Sequence, residues 1–209
     1  MQAEDNTRAA NPITERHMLD LLLKRYTKVR RGTITDRWVR AEHVGLELGG
    51  TRHRVADFIA ADKYPGSPYG SALALHGHEV KVTRKDWRAE RADPTKAEAI
   101  ARYMHHWWLV VPDASIVGDE LPEHWGLMVI SSTGDLRVKT PAPRLTPDPL
   151  PLEFSLSLMA AVARTAHRDP LRRDAPTVYI DHENRCGFCG QSRPCVVHQP
   201  RQAAQSSLR

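Results

Sequence analysis

The sequence predicts an α/β fold with a mixed sheet, and three observations carry that expectation. Segments with helical and strand-like periodicity follow one another along most of the chain instead of separating into blocks. The helical pattern of residues 95–106 runs straight into Trp107-Trp108-Leu109-Val110-Val111, an apolar run short enough for a strand buried on both faces. Single charges interrupt two other apolar strand segments, Asp57 in one and Glu79 with Lys81 in the next.

The elements follow in order. Asn11-Pro12 reads as a capped helix start with proline in the first turn, and Ile13, Met18, Leu21, Leu22 and Tyr26 give that helix an apolar stripe. A basic cluster follows, Lys24, Arg25, Lys28, Arg30 and Arg31, running into a turn at Gly32. Residues 37–44, 54–60 and 73–83 alternate as strands, with Gly49-Gly50 and the Pro- and Gly-rich stretch 63–70 as turn signals. Asp93-Pro94 repeats the capped start before a helix over 95–106, and the strand 107–112 follows. Residues 126–130 and 136–139, separated by Ser-Thr-Gly-Asp, read as a closing hairpin, and a last helix spans about residues 153–166.

These elements divide the chain into a frayed N-terminus over 1–11, a main domain over 12–145, a Pro-rich connector with its helix over 146–168, and a basic tail over 169–209. At 41% apolar and 26% charged residues, the composition is that of a soluble globular protein, neither disordered nor membrane-embedded. No apolar run is long enough to span a bilayer and the N-terminus lacks the apolar core of a signal peptide, so the expected location is the cytoplasm. A net charge of +5 and a pI near 9.3 suit a polyanionic partner such as nucleic acid.

Strand side chains alternate, so Glu79 and Lys81 share one face, and Asp57 on the preceding strand can stand beside them. Two carboxylates side by side repel and are poorly solvated unless a divalent cation neutralises them, and oxygen ligands suit Mg²⁺ or Mn²⁺. An ordinary salt-bridge cluster at a sheet edge is the competing reading. His76 and His78 lie on the face opposite Glu79 and read as structural or exposed. His105-His106 closes a helix, where imidazolium is favoured by the dipole. Lys96 and Tyr103 lie two turns apart on one helical face, able to follow a DNA backbone or to divide between solvent and core.

The order helix, three strands, helix, strand, with an acid in the second strand and Glu-x-Lys in the third, resembles the PD-(D/E)XK nuclease superfamily. The fold this implies is a restriction-endonuclease-like core. More narrowly, residues 56–60, 78–87, 96–99 and 107–112 resemble the MmcB-like DNA repair group of actinobacteria and their phages, a resemblance covering about residues 12–145. It implies a Mg²⁺- or Mn²⁺-dependent deoxyribonuclease in which Asp57, Glu79 and the Val80 carbonyl hold the metal. Lys81 then orients the attacking water or stabilises charge on the phosphate. Glu15 matches an additional acid of the first helix, although an acid in a first helical turn also suits the helix dipole. Ala56 stands where the family name has proline. The DNA-binding surface comprises Lys24, Arg25, Lys28, Arg30, Arg31, Arg54, Arg84, Lys85 and Lys96. Loss of cleavage with retained DNA binding is the alternative, since a fold does not fix a function. By analogy with the superfamily, a homodimer or a replication or repair protein is a further partner.

In the tail, Cys186-x₂-Cys189 and Cys195-x₂-His198 have spacings that let tight turns aim both pairs at one Zn²⁺, and His182 competes for the fourth position. Four protein ligands leave no open position, so the expected zinc is structural. Arg185, Arg193 and Arg201 around it suit a small nucleic-acid-binding knuckle or a protein contact.

Overall fold

The computed structural model of the chain describes residues 12–30, 33–35, 37–46, 54–63 and 73–168. The Cys186, Cys189, Cys195 and His198 set, with His182, lies outside these residues, as do Asn11 and Arg31.

Helix α1 (Glu15–Arg25) begins at Thr14, whose hydroxyl accepts a hydrogen bond from the His17 N–H at 3.3 Å. The start therefore lies later than the Asn11-Pro12 signal, and Ile13 stays exposed instead of joining the buried stripe. Met18, Leu22 and Tyr26 are buried as expected, with Leu19 and Leu23 beside them. Next, β1 (Lys28–Arg30) and β2 (Thr33–Thr35) pair as a small antiparallel ribbon that the sequence reading did not resolve.

The main sheet has six strands. Antiparallel β3 (Trp38–Gly45), β4 (Val55–Asp62) and β5 (Ala74–Val80) form a meander, and β6 (His106–Val111) and β7 (Trp125–Ile130) add parallel to β5. β8 (Leu136–Thr140) closes the far edge antiparallel to β7. The sheet is mixed and the chain is α/β, with strands in the spatial order β3-β4-β5-β6-β7-β8.

Between β5 and β6 the chain forms two helices, not one. β5 ends at Val80, short of Thr83, because Thr83 starts α2 (Arg84–Ala92). The Thr83 hydroxyl accepts from the Asp86 N–H at 3.1 Å and donates to the Asp86 carboxylate at 2.6 Å, a reciprocal cap that the pattern Thr-x-x-Asp encodes. Helix α3 (Thr95–Ala101) is shorter than predicted, and its cap position is Pro94, without a side-chain cap bond. His105 and His106 therefore end no helix: the His105 N–H donates to the Leu75 carbonyl at 2.9 Å, and His106 opens β6.

Alternation along the strands builds two cores. Phe58, Ala60, Val80, Trp108, Val110 and Met128 pack on α1. On the other face Ile59 and Trp107 pack with Ala97 and Ile100 of α3, and with Phe154 and Ala161 of α4 (Leu152–Arg168). Trp87 of α2 covers Leu109, Val111, Leu127 and Val129 beside them. Helix α4 thus belongs to the sheet domain rather than to an appended connector.

Two register pairs pin the central strand. Gly77 faces Trp107 and Gly126 faces Trp108, so the two indoles, on opposite faces of β6, lie over glycines of its two neighbours. A Cβ at Gly77 stands 2.3 Å from Trp107 Cζ3, and one at Gly126 stands 2.4 Å from Trp108 Cε3, so neither position accepts a side chain without displacing an indole. The first pair fixes β5 two residues before Glu79.

Candidate functional site

The row that matters crosses three strands near one end of the sheet. The pairs Glu42↔Phe58 and Val44↔Ala56 put His43 opposite Asp57, and the run Ile59↔Gly77, Phe58↔His78 continues to set Asp57 opposite Glu79. Helix α1 brings Glu15 to the same place: ligand atoms of Glu15, His43 and Asp57 all lie within 4.8 Å of one another. His43 was not singled out in the sequence, where nothing distinguishes it from a solvent-facing strand residue.

Local structure explains the convergence. Arg16 clamps the buried Glu42 carboxylate with two hydrogen bonds, of 2.8 and 2.6 Å, tying the first turn of α1 to β3 next to His43. His43 itself has φ 50, a left-handed conformation that non-glycine residues adopt sparingly, while the ladder keeps its register on either side. Asp57 accepts a hydrogen bond from the Val80 N–H at 2.7 Å. The contact from Val80 to the acid is therefore its N–H.

Lys81 lies just past β5, where its N–H continues the ladder to the Val110 carbonyl at 3.1 Å. Its ammonium pairs with Glu79 and, at 3.2 Å, with Glu90 of α2, a partner the sequence reading missed because α2 itself was unread. Glu79 is thus held by Lys81, while Asp57 is grouped with Glu15 and His43. Burial pushes Glu79 up to about 8, reinforced by Asp57 and opposed by Lys81. Burial likewise pushes Asp57 up to about 6, against the Val80 N–H bond and Lys81. Burial opposes the charge on Lys81, but Glu79, Glu90 and Asp57 outweigh it and keep the ammonium protonated.

A groove of about 300 Å³ opens beside the acid row, lined among others by Glu15, Val80, Lys81, Asp86, Glu90 and Lys96. Of the cations expected to meet DNA, Lys96 lines this groove and Lys85 is exposed on α2. Arg84 is engaged within the chain, donating to the carbonyls of Ser115 at 3.0 Å and Ile116 at 3.1 Å. Arg25 donates to the Leu136 carbonyl at 3.0 Å and Lys24 pairs with Asp135 at 2.6 Å, so both hold α1 to the far edge of the sheet. Arg54 is half-buried just ahead of β4, and Lys28 and Arg30 fall on β1.

The histidines behind the acid row are structural. His78 is fully buried; its Nδ1–H donates to the Phe58 carbonyl at 3.2 Å, which leaves Nε2 to accept from the Tyr26 hydroxyl at 2.9 Å. His76 accepts from the Trp108 indole N–H at 3.3 Å, and burial, then His106, lower it to about 3. Both are neutral packing groups.

No protein-family model and no curated protein matches the chain. Among solved structures, a protein of unknown function from Silicibacter pomeroyi is similar at 18% identity and a TM-score of 0.44, over 73% of this chain and 86% of that one.

Proposed function

We propose that the chain is a divalent-metal-dependent nuclease that hydrolyses DNA phosphodiester bonds in DNA repair or phage DNA metabolism, on a restriction-endonuclease-like core. One observation carries the reading: Glu15, Asp57 and the Glu79–Lys81 pair, from three separate elements of the chain, meet at one end of the sheet beside an open groove. The donor set fits the metal, since carboxylates of Glu15 and Asp57 converge and Glu79 adjoins Asp57 across the ladder. A divalent cation held there supplies positive charge for the attacking water and for the phosphate oxygens. Lys81 presents its ammonium at the groove wall, where it stabilises charge developing on the phosphate. Lys96 and Lys85 offer cations to the flanking backbone. The Cys186, Cys189, Cys195 and His198 set adds a structural zinc in the basic tail, which helps to hold substrate.

The test is incubation of the purified full chain with labelled single- and double-stranded DNA and Mn²⁺ or Mg²⁺, beside Glu79→Ala and Lys81→Ala. Cleavage by the wild type that falls at least about 100-fold in each variant is expected. Cleavage persisting in both removes the assignment, and DNA bound but uncut by the wild type replaces it with a non-cleaving binding module.

A further inference from the structure

We infer that His43 is a metal ligand, and that Glu15, His43 and Asp57 form a nitrogen-containing divalent-cation site that selects a transition metal such as Mn²⁺ over Mg²⁺. The inference rests on the metal-dependent reading above and changes its ligand set, because the imidazole enters where Glu79 was expected.

The first support is distance. Ligands at ~2.1 Å from one ion stand at most ~4.2 Å apart, and the three side chains already bring their donor atoms within 4.8 Å without one. Adjustments of about half an ångström within side-chain rotamers close the set.

The second support is the division of charge. Lys81 is committed to Glu79 and Glu90, one on each side, so Glu79 has a counter-ion of its own. Asp57 instead turns one oxygen to the Val80 N–H and adjoins Glu15, a second carboxylate, with the His43 imidazole beside both. Two converging carboxylates with an imidazole beside them are, in donor type and spacing, a ligand set for a transition-metal ion.

The third support is the backbone of β3. Its register is the same on either side, at Glu42↔Phe58 and Val44↔Ala56, yet His43 between them takes φ 50. A residue that leaves the extended conformation without shifting the register changes where its own side chain points and little else. Arg16 and Glu42 anchor α1 to this point, so Glu15 arrives with it.

Imidazole suits Mn²⁺ and later transition ions better than Mg²⁺, which prefers all-oxygen shells and retains its waters. The site, at whose edge Glu15 also lines the groove, therefore discriminates by chemistry rather than size.

The experiment titrates Mn²⁺ into the full-length chain, followed by electron paramagnetic resonance, with pulsed measurement of nitrogen coupling to the bound ion. His43→Asn is the chief variant, because asparagine also tolerates a left-handed backbone and keeps the fold. Asp57→Asn is the second, and circular dichroism confirms both are folded. Expected are a bound Mn²⁺ with imidazole nitrogen coupling in the wild type, and loss of that coupling with affinity reduced at least about tenfold in His43→Asn. Mg²⁺ in about 100-fold excess displaces Mn²⁺ from the variant and not from the wild type. Nitrogen coupling unchanged in His43→Asn, or Mn²⁺ bound by the wild type without it, overturns the role of His43 while leaving an acid-held metal intact. Absence of Mn²⁺ binding in the wild type overturns the metal-dependent reading as well.

Discussion

Replacing Lys81 with methionine tests whether this lysine is the counter-ion of the buried acids. Methionine preserves length and apolar stem but removes the charge from between Glu79 and Glu90, whose side chains are 9% and 12% exposed. Breaking one side of such a pair costs about 3 kcal/mol, which for a domain of this size lowers the midpoint of melting by about 6–12 °C. The cost depends on pH in a direction the burial dictates. Glu79 is raised to about 8 in the metal-free fold, so from its ordinary value up to pH 8 the folded chain holds a proton that the unfolded chain has lost, and stability declines with rising pH. In the wild type this decline levels off above pH 8, where Glu79 ionises against Lys81. Without Lys81 the carboxyl holds its proton to higher pH, so the decline continues at about 1.4 kcal/mol per pH unit. Urea denaturation in EDTA at pH 7, 8 and 9.5 reads the difference directly. The two curves should run parallel below pH 8 and diverge above it, and Lys81→Met with Glu79→Gln should abolish the divergence above pH 8, because no Glu79 charge is left to bury. A gap that is constant with pH, or a double variant no better than the single, refutes Lys81 as the partner of Glu79.

Two further predictions follow from the packing. Gly77→Ala drives a Cβ to within 2.3 Å of the Trp107 ring, and because the ring is itself packed against Met104 the variant should lose about 1–3 kcal/mol in urea denaturation; an unchanged midpoint means the indole moves aside freely. Arg16→Met leaves the buried Glu42 carboxylate without its bidentate partner and frees the first turn of α1, so Mn²⁺ affinity should fall about tenfold with Arg16→Lys intermediate, and equal affinity in all three detaches Glu15 from the site.

How much of this was legible in the sequence depends on the range of the forces involved. The strands of the meander and the β7-β8 hairpin were legible from short apolar segments bounded by turn signals, and β6 from a continuous apolar run after a helix, all of them local signals. Asp57, Glu79 and Lys81 announced themselves because charge inside an apolar strand is costly. Helix α2 escaped because its sequence, Arg84-Lys-Asp-Trp-Arg-Ala-Glu-Arg-Ala92, buries one residue, Trp87, and shows no stripe; the Thr83-x-x-Asp86 cap was its signal. With α2 went Glu90. His43 escaped for a different reason: its importance comes from register with Asp57 and from Arg16 reaching Glu42, and neither relation can be read from neighbours in the chain. Arg84, Arg25 and Lys24 read as a DNA surface because sequence shows charge but not the carbonyls and carboxylate that occupy it.

The charge balance at this end of the sheet sets the terms for any function there. Glu79 and Glu90 share a single lysine and Asp57 stands beside Glu79, so full ionisation of the acids leaves negative charge uncompensated where water has poor access. The fold has two ways to relieve it. Protons do so in the metal-free chain, which is what the raised values of Asp57 and Glu79 express. On the reading proposed above, a divalent cation on Glu15, His43 and Asp57 would do so by keeping Asp57 ionised and drawing its charge away from Glu79, which would then ionise more readily against Lys81. Metal and proton would then compete at Asp57, and the Glu79–Lys81 pair would respond to the outcome across the ladder. Metal should accordingly stabilise the fold more at pH 8 than at pH 6, where protons already occupy the acids. A thermal shift with Mn²⁺ that is equal at the two pH values means the cation binds elsewhere than at Asp57.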